Sequence, residues 1–403
     1  MPVLVLDGHS RAAVETVQSL GRAGLEIDVA SESLHCAATR SRYAARKLQQ
    51  PPPLVPENFH RWLHAQDRRR NYELIVPTTE TSLMSLRLLG ESDSLRRRAV
   101  LPGDRAIDVA LDKFKTWQLG RELGVRAPET ALVSRQQNLV LPANYPVVVK
   151  SLHSKIVVDG ALQTVAAEIV RDEDAYRRRI EQWLPFTDVL RQEFVFGRGV
   201  GAEFLFDRGR KVWHFVHERV HEVPLTGGAS SYRRSIPPMP ALLADAERIL
   251  TALEWHGVAM VEFRVDPQGQ HWLIEINPRL WGSLALAIDA GVDFPLGLWL
   301  LAQGSKIPPQ PPYRTNYYTR DLTNDVEWFK AMIRADGNDS LLLTRSIFAS
   351  VIEILRPLAG RESWDHFDVR DLAPTRVVLA DLVVGQLRQL FRKALQGIKR
   401  HSF

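Results

Sequence analysis

Cysteine is almost absent from this 403-residue chain. Cys36 stands alone, which excludes an internal disulfide and a cysteine-rich zinc site. Long apolar runs are missing too: none reaches the ~18 residues of a membrane span, and Met1–Leu6 reads as entry into a short strand and not as a signal peptide. A cytoplasmic location is the resulting expectation. The first turn offers Gly8 alone, without the further glycines that let backbone approach a pyrophosphate, which argues against a dinucleotide-binding domain. No Ser-His-Asp or Cys-His nucleophilic arrangement is visible. Charge of one sign is not in large excess either; the net +5 is mild and points to no nucleic-acid partner.

What is present describes a large globular chain of about two to three domains. Val3–Leu6, Leu25–Ala30 and Glu73–Val76 read as buried strands, with helices predicted over Arg11–Arg22 and Thr81–Leu89. That alternation predicts a small parallel α/β domain over residues 1–105. The loops Asp7–Ser10 and Pro77–Glu80 then fall at the carboxyl ends of strands, the usual ligand crevice of an open sheet.

The most informative stretch is Val258–Arg279. It reads as two strands joined by a turn at Asp266-Pro267-Gln268-Gly269. Alternation puts Glu262 and Arg264 on one face of the first strand, and Glu275 and Asn277 on one face of the second. Pairing across the turn is expected to set Glu262 diagonally opposite Glu275. Two close carboxylates repel unless a positive charge sits between them. A hard divalent cation takes carboxylate oxygens completed by water and nucleotide phosphate. The hairpin therefore predicts a metal–triphosphate site.

Glu275-x-Asn277-Pro278-Arg279 at a strand end, with Glu262 on the strand before it, resembles the magnesium-binding core of the ATP-grasp enzymes. The continuation from Leu280-Trp281-Gly282-Ser283 to Ala290-Gly291-Val292-Asp293-Phe294-Pro295 is similar to the branch related to the carbamoyl-phosphate synthase large subunit. Many members of that branch are carboxylate–amine ligases. The resemblance implies an α/β chain with α+β lobes. After the parallel N-terminal domain would come a two-lobed ATP-grasp domain over 106–310, with a small lobe at 146–190 and a large lobe at 191–310. A mostly helical C-terminal extension over 311–403 would come after a proline-rich linker, Pro308–Pro312.

The resemblance also implies roles, residue by residue. Lys113, in Asp112-Lys113-Phe114-Lys115-Thr116, would reach the nucleotide phosphates, with Lys115 as the alternative. Lys150, ending Tyr145–Lys150, would contact the α-phosphate and the adenine edge. Gln192, Glu193 and the backbone of Phe194 and Val195 match the adenine segment, and Glu193 or Glu203 would accept from the ribose. Mg²⁺ would rest on Glu262, Glu275 and Asn277. Arg279 would grip the γ-phosphate or the acyl oxygens, and Arg264 would assist with phosphate or merely offset the acidic pair. Arg219 would pair with a substrate carboxylate, while Gly227, Gly228 and Ser230 would lie over the γ-phosphate and acyl substrate. Glu80 would recognise an amine, or serve only as the first-turn acid of its helix.

Ser151–Gly160 departs from the family's pattern. A glycine-rich flap is expected there, yet Gly160 is its single glycine, so either Ser151, Ser154 and Lys155 contact phosphate with their side chains or the flap is weaker than usual. Gly197, Gly199 and Gly201 read as turn glycines. After Asp381 the chain carries Arg388, Arg392, Lys393, Lys399 and Arg400 with no acid, on a basic amphipathic helix. That helix is expected either to dock on the body with a solvated basic face or to meet an anionic membrane surface or acidic partner. The sequence leaves the oligomeric state open, a homodimer included.

Two function classes result. One is an ATP-dependent carboxylate–amine ligase acting through an acyl phosphate on small-molecule substrates, with ATP and Mg²⁺. The other is a nucleotide-binding regulatory or assembly protein on the same fold, for which the poor flap is the motive.

Overall fold

The computed structural model describes residues 1–135, 139–153, 155–158, 161–337, 339, 341–344, 346, 350, 353, 356 and 360–400. Its first unit is a parallel sheet in the strand order Ala44–Gln49, Glu26–Ser31, Pro2–Val5, Leu74–Val76. Strand–helix alternation predicts three of these strands; Ala44–Gln49, with its alternating half-exposed edge pattern, is the addition. The helix Arg11–Arg22 starts where Ser10 caps the free N–H of Ala13, and its Ala13, Val14, Val17 and Leu20 face the core. Asp7, at φ 58° and buried, ties the two strand-end loops together. Its carboxylate accepts from the N–H groups of Thr78 and Thr79 (3.2 and 3.0 Å), from the Ser82 hydroxyl and from Gln50 Nε2. The crevice is thus rigid at its rim.

The small lobe is an antiparallel sheet ordered Thr130–Val133, Val189–Glu193, Val147–Ser151, Glu168–Val170. The helix Glu173–Trp183 covers one face with Tyr176, Ile180 and Trp183. Because Thr130–Val133 belongs to this sheet, the lobe begins before residue 146. The flap is a separate hairpin, Lys155–Val158 with Ala161–Thr164. Ser154, Asp159 and Gly160 lie outside the described residues.

The large lobe is built on a seven-stranded sheet. Its order is His271–Asn277, Gly257–Val265, Arg198–Asp207, Arg210–Val223, Ala229–Ser235, Tyr318–Arg320, Glu362–Trp364. One face packs on the helix Pro240–Ala252 through Phe204, Val261, Phe263 and Ile276. The other carries the site and, beyond it, a core shared with the N-terminal unit. There Val3, Val5 and Val17 join Trp213, Phe215, Trp281 and the helices Leu284–Ala290 and Phe294–Ala302. Trp281 is fully buried; truncating a tryptophan at such a place costs about 3–5 kcal/mol.

Two expectations about the C-terminal part need correction. Pro308–Pro312 is not a free linker, since Trp213 Nε1 donates to the Pro308 carbonyl (3.0 Å) and His214 N to Gln310 Oε1 (2.7 Å). Nor is the chain beyond that run an appended helical element: Tyr318–Arg320 and Glu362–Trp364 complete the main sheet. Buried charge holds them there. Arg320 bridges Asp325 and Glu362 over the Tyr232 ring, and His221 stacks on Trp328 (3.5 Å between centroids) between Asp325 and Glu353. The last helix, Leu372–Arg400, begins docked on the body and leaves Leu379, Val383, Val384 and Leu387 exposed. The side chains of Arg392, Lys393, Lys399 and Arg400 lie outside the described residues. No single helix among the described residues is long and apolar enough to cross a membrane.

Candidate nucleotide and metal site

Glu262 lies directly opposite Glu275, and a bulge makes this so. The ladder from the turn pairs Val265 with His271, Arg264 with Trp272 and Phe263 with Leu273. Continued without a break it would set Glu262 against Ile274 and send Glu275 to the apolar rear face. One extra residue, Ile274, shifts the register so that Glu262 meets Glu275 and Met260 meets Asn277. The diagonal pairing expected from alternation is therefore replaced by a direct one. Leu273 and Ile276, three apart, both enter the rear core, as the bulge requires.

The two carboxylates share one partner. Asn277 Nδ2 donates to Glu262 Oε1 (3.0 Å) and to Glu275 Oε1 (3.3 Å). Arg219 reaches Glu262 from Arg210–Val223, across the intervening strand Arg198–Asp207, and donates to the Gly228 carbonyl (2.8 Å). Burial is the largest influence on both acids and raises both. Glu262, with Glu275 and Glu222 adding to burial against the pull of Arg219, ends above the usual carboxylate range. Glu275 ends below it, because Lys113, Lys150 and Arg219 together outweigh burial. For Arg219 burial opposes the charge, yet Glu262 and Glu222 hold its guanidinium above its ordinary value.

The lysines arrive from the small lobe and from the helix that precedes it. Asp112 caps the helix Lys113–Glu122 by accepting from Phe114 N (2.9 Å) and Lys115 N (3.0 Å). The Lys113 N–H meets the Leu152 carbonyl (3.4 Å), which fixes this helix start beside the strand that carries Lys150. Lys150 is 6 % exposed and donates to Gln192 Oε1 (2.9 Å), while Gln192 Nε2 donates to Thr130 Oγ1 (2.8 Å). Burial first, and Lys113 second, push the Lys150 ammonium down to about 8, against the pull of Glu275 and Glu262. Lys150 is thus charged at pH 7 and loses its proton through the range 7–9. Affinity for a triphosphate is expected to fall as pH rises through that range, with Lys150→Met flattening the profile; nucleotide titrations at pH 6.5, 8 and 9 would check this.

Glu193 closes the small sheet. Its N–H donates to the Glu129 carbonyl (2.8 Å), and its side chain accepts from Glu129 N (3.3 Å) while remaining exposed. Phe194 and Val195, half-buried, continue as the link to the large sheet. Their backbone sits between the lobes, where an adenine edge would need one donor and one acceptor. Glu203 does not join them. It is fully buried on the site face, with its carboxylate 2.5 Å from His217 Nδ1, so this placement does not support the ribose role. Burial raises Glu203 well above the usual range and drops His217 well below its own.

The Gly227–Ser230 loop is held by a residue that sequence reasoning passed over. Glu222 accepts from Gly199 N (3.2 Å), Gly228 N (3.0 Å) and Arg264 Nη1 (3.0 Å). Arg264 is therefore an anchor for the loop, a role different from offsetting the Glu262–Glu275 pair or assisting with phosphate. Gly199 and Gly201 are not turn glycines but strand positions kept bare. A Cβ on Gly199 would lie 2.8 Å from Arg219 Cδ and from Glu222 Oε1, and one on Gly201 would strike the His217 ring. Gly227 has φ 113°, and its Cβ would strike Arg264. Gly227→Ala is expected to lower turnover at least about tenfold while costing only ~1–2 kcal/mol of stability, read from paired kinetic and melting measurements. Ser230 is nearly buried opposite Glu222.

Arg279 donates to the Leu280 carbonyl (3.1 Å), and no carboxylate pairs with it among the described residues. It lies against Pro77 and Leu83 of the N-terminal unit. Glu80 opens the helix Glu80–Arg87 one residue after its cap, Thr79, the position of a first-turn acid. The structure thus brings Glu262, Glu275, Asn277, Arg219, Lys150 and Lys113 into one electrostatic group, with Arg264 and the glycine loop beside it and Arg279 at the junction with the N-terminal unit.

Fold and site together resemble those of ATP-grasp proteins. Residues 207–324 match the family model described as "ATP-grasp in the biosynthetic pathway with Ter operon". Among curated proteins, the chain is similar to the D-alanine–D-alanine ligase of Ectopseudomonas mendocina (strain ymp), 28% identical over 188 residues, which cover 43% of this chain and 57% of the relative. It thus spans a little over half the length of such relatives. Among solved structures, N5-carboxyaminoimidazole synthetase from Staphylococcus aureus superposes with a TM-score of 0.63 at 15% identity, over 89% of this chain and 97% of the other. An L-amino acid ligase from Bacillus licheniformis does so at 0.57 and 14%, over 79% and 78%. A biotin carboxylase domain from Hydrogenobacter thermophilus, in complex with MgADP and bicarbonate, does so at 0.59 and 15%, over 79% and 73%.

Proposed function

We propose that this protein is an ATP-dependent carboxylate–amine ligase that activates its acid as an acyl phosphate and releases ADP and phosphate as the amide forms. The observation that carries this reading is the bulge-enforced pairing of Glu262 with Glu275 across Asn277. A hard divalent cation fits that donor set: two carboxylates, and an amide oxygen once the Asn277 amide is turned. Mg²⁺ held by Glu262, Glu275 and Asn277 would supply charge neutralisation for the β- and γ-phosphates.

The remaining work belongs to the chain. Lys113 and Lys150 neutralise phosphate oxygens, and the Phe194–Val195 backbone receives the adenine. The buried Arg219 offers its guanidinium fork to the carboxylate that attacks the γ-phosphate, and Arg279 steadies the transferring group or acyl oxygen. Lodged between two lobes, the acyl phosphate is shielded from water until the amine displaces phosphate. The crevice of the N-terminal unit, near Glu80, faces Arg279 and suits the second substrate. Bicarbonate stays within the class of acids such a site could activate. A cytoplasmic location, where ATP is available, accompanies this reading.

The test is phosphate release from Mg·ATP in the presence of pooled amino acids and other small acids and amines, with mass spectrometry of the products. A new amide mass, absent with Glu275→Gln, supports the ligase. Nucleotide binding without phosphate release under any pool would favour a regulatory or assembly protein instead.

A further inference from the structure

A second cavity, of about 580 Å³, lies at the far end of the strands that carry the site. His256 and the start of Gly257–Val265 border it, which places it roughly 17 Å along the strand from Glu262. The Asp207–Arg208 turn, Lys211 and Val212 form one wall. Leu301–Ile307, after the helix Phe294–Ala302, form the next, and Arg97 and Val100 of the N-terminal unit close it. This volume is within the ~300–1,000 Å³ of small-molecule sites.

Four cations line the cavity, Arg97, Arg208, Lys211 and Lys306, against one carboxylate, Asp207. Lys211 is paired outside the lining, with Glu247, while no carboxylate pairs with Arg97 or Lys306 among the described residues. Asp207 Oδ1 is shared between Arg208 Nη1 (3.9 Å) and His256 Nδ1 (3.4 Å), so the one carboxylate offsets the four cations only in small part. The backbone is also bent around the space: Val100 at φ 49° and Arg208 at φ 44° are left-handed, a region a β-branched valine rarely adopts. Such outliers gather at ligand clamps.

We infer that this cavity binds a phosphorylated small molecule, whose phosphate meets Arg208, Lys306 and Arg97 and whose short apolar part lies on Val212, Leu301 and Ile307. The inference does not depend on the ligase reading.

Phenyl phosphate is a suitable probe, titrated calorimetrically into the full chain and into two variants. The expected result is one molecule bound per chain, at least tenfold weaker in Arg208→Glu/Lys306→Glu and unchanged in Lys150→Met, with affinity falling as salt rises. No binding, equal affinity in the double variant, or loss in Lys150→Met alone would overturn the inference. Acylation footprinting of the unaltered protein gives a readout independent of how the variants fold. Phenyl phosphate should protect Lys306 from an amine-reactive reagent, and undiminished labelling at saturation would equally count against the site.

Discussion

Glu275→Gln is expected to lower Mg·ATP-dependent phosphate release by about a hundred- to a thousandfold, the scale of losing one aligned electrostatic group at a transferring centre. The substitution keeps the shape of the side chain and removes its charge. Stability should fall modestly as well. Glu275 is held below its ordinary range by Lys113, Lys150 and Arg219, so its charge favours the folded state and removing it leaves those cations, the buried Lys150 above all, less compensated. A somewhat lower melting temperature together with lost turnover is the expected pair of results. Retained turnover would remove Glu275 from the proposed metal site. Glu262→Gln should give a similar loss of turnover while stripping Arg219 of its closest partner.

Arg219→Ala is the second large effect, and here stability suffers as well. Its guanidinium is the positive charge nearest Glu262 in the structure, and it also satisfies the Gly228 carbonyl. The pair is partly buried, so breaking one side should cost somewhat less than the ~3–5 kcal/mol of a fully buried ion pair, whose other charge stays behind uncompensated. That loss should appear as a lower denaturant midpoint with little change in slope. A double variant, Arg219→Ala with Glu262→Gln, separates the two roles. It should recover much of the stability and none of the turnover. If the single variant melts like the unaltered protein, the buried pairing of Arg219 with Glu262 is wrong.

The sequence was most legible where local chemistry and spacing coincide. Glu262, Glu275 and Asn277 stand out because acids on adjacent strands are costly without a cation, and Lys150 because a β-branched strand ends on it. The geometry that joins them was less legible. Alternation alone cannot locate the bulge at Ile274, since two isoleucine-containing pairs, Leu273–Ile274 and Ile276–Asn277, fit either register. Glu222 escaped notice because its partners, Gly199 N, Gly228 N and Arg264, come together only when three strands align. The glycines at 199 and 201 look like turn residues in one dimension and prove to be clearance for Arg219 and His217 in three. The proline-rich run misled for a related reason: proline composition signals extended chain, and extended chain can lie along Trp213 and His214 as readily as it can hang free. Glu203 shows the limit of carrying a role over by resemblance, because its burial beside His217 and Ser283 arises only when separate segments of the large lobe come together.

The core that Trp281 shares with Val3, Val5 and Val17 bears on how the molecule moves. Large lobe and N-terminal unit are joined through fully buried side chains, so the crevice near Glu80 and the acidic pair travel as one block. The small lobe, tied to that block through Phe194–Val195 and the Lys113 N–H, is left as the swinging part. Opening then uncovers Lys150 and the acids together, while the crevice near Glu80 keeps its shape throughout. A turnover limited by product escape would therefore be set by the hinge after Glu193, and stiffening that short link would slow release without touching the chemistry it encloses.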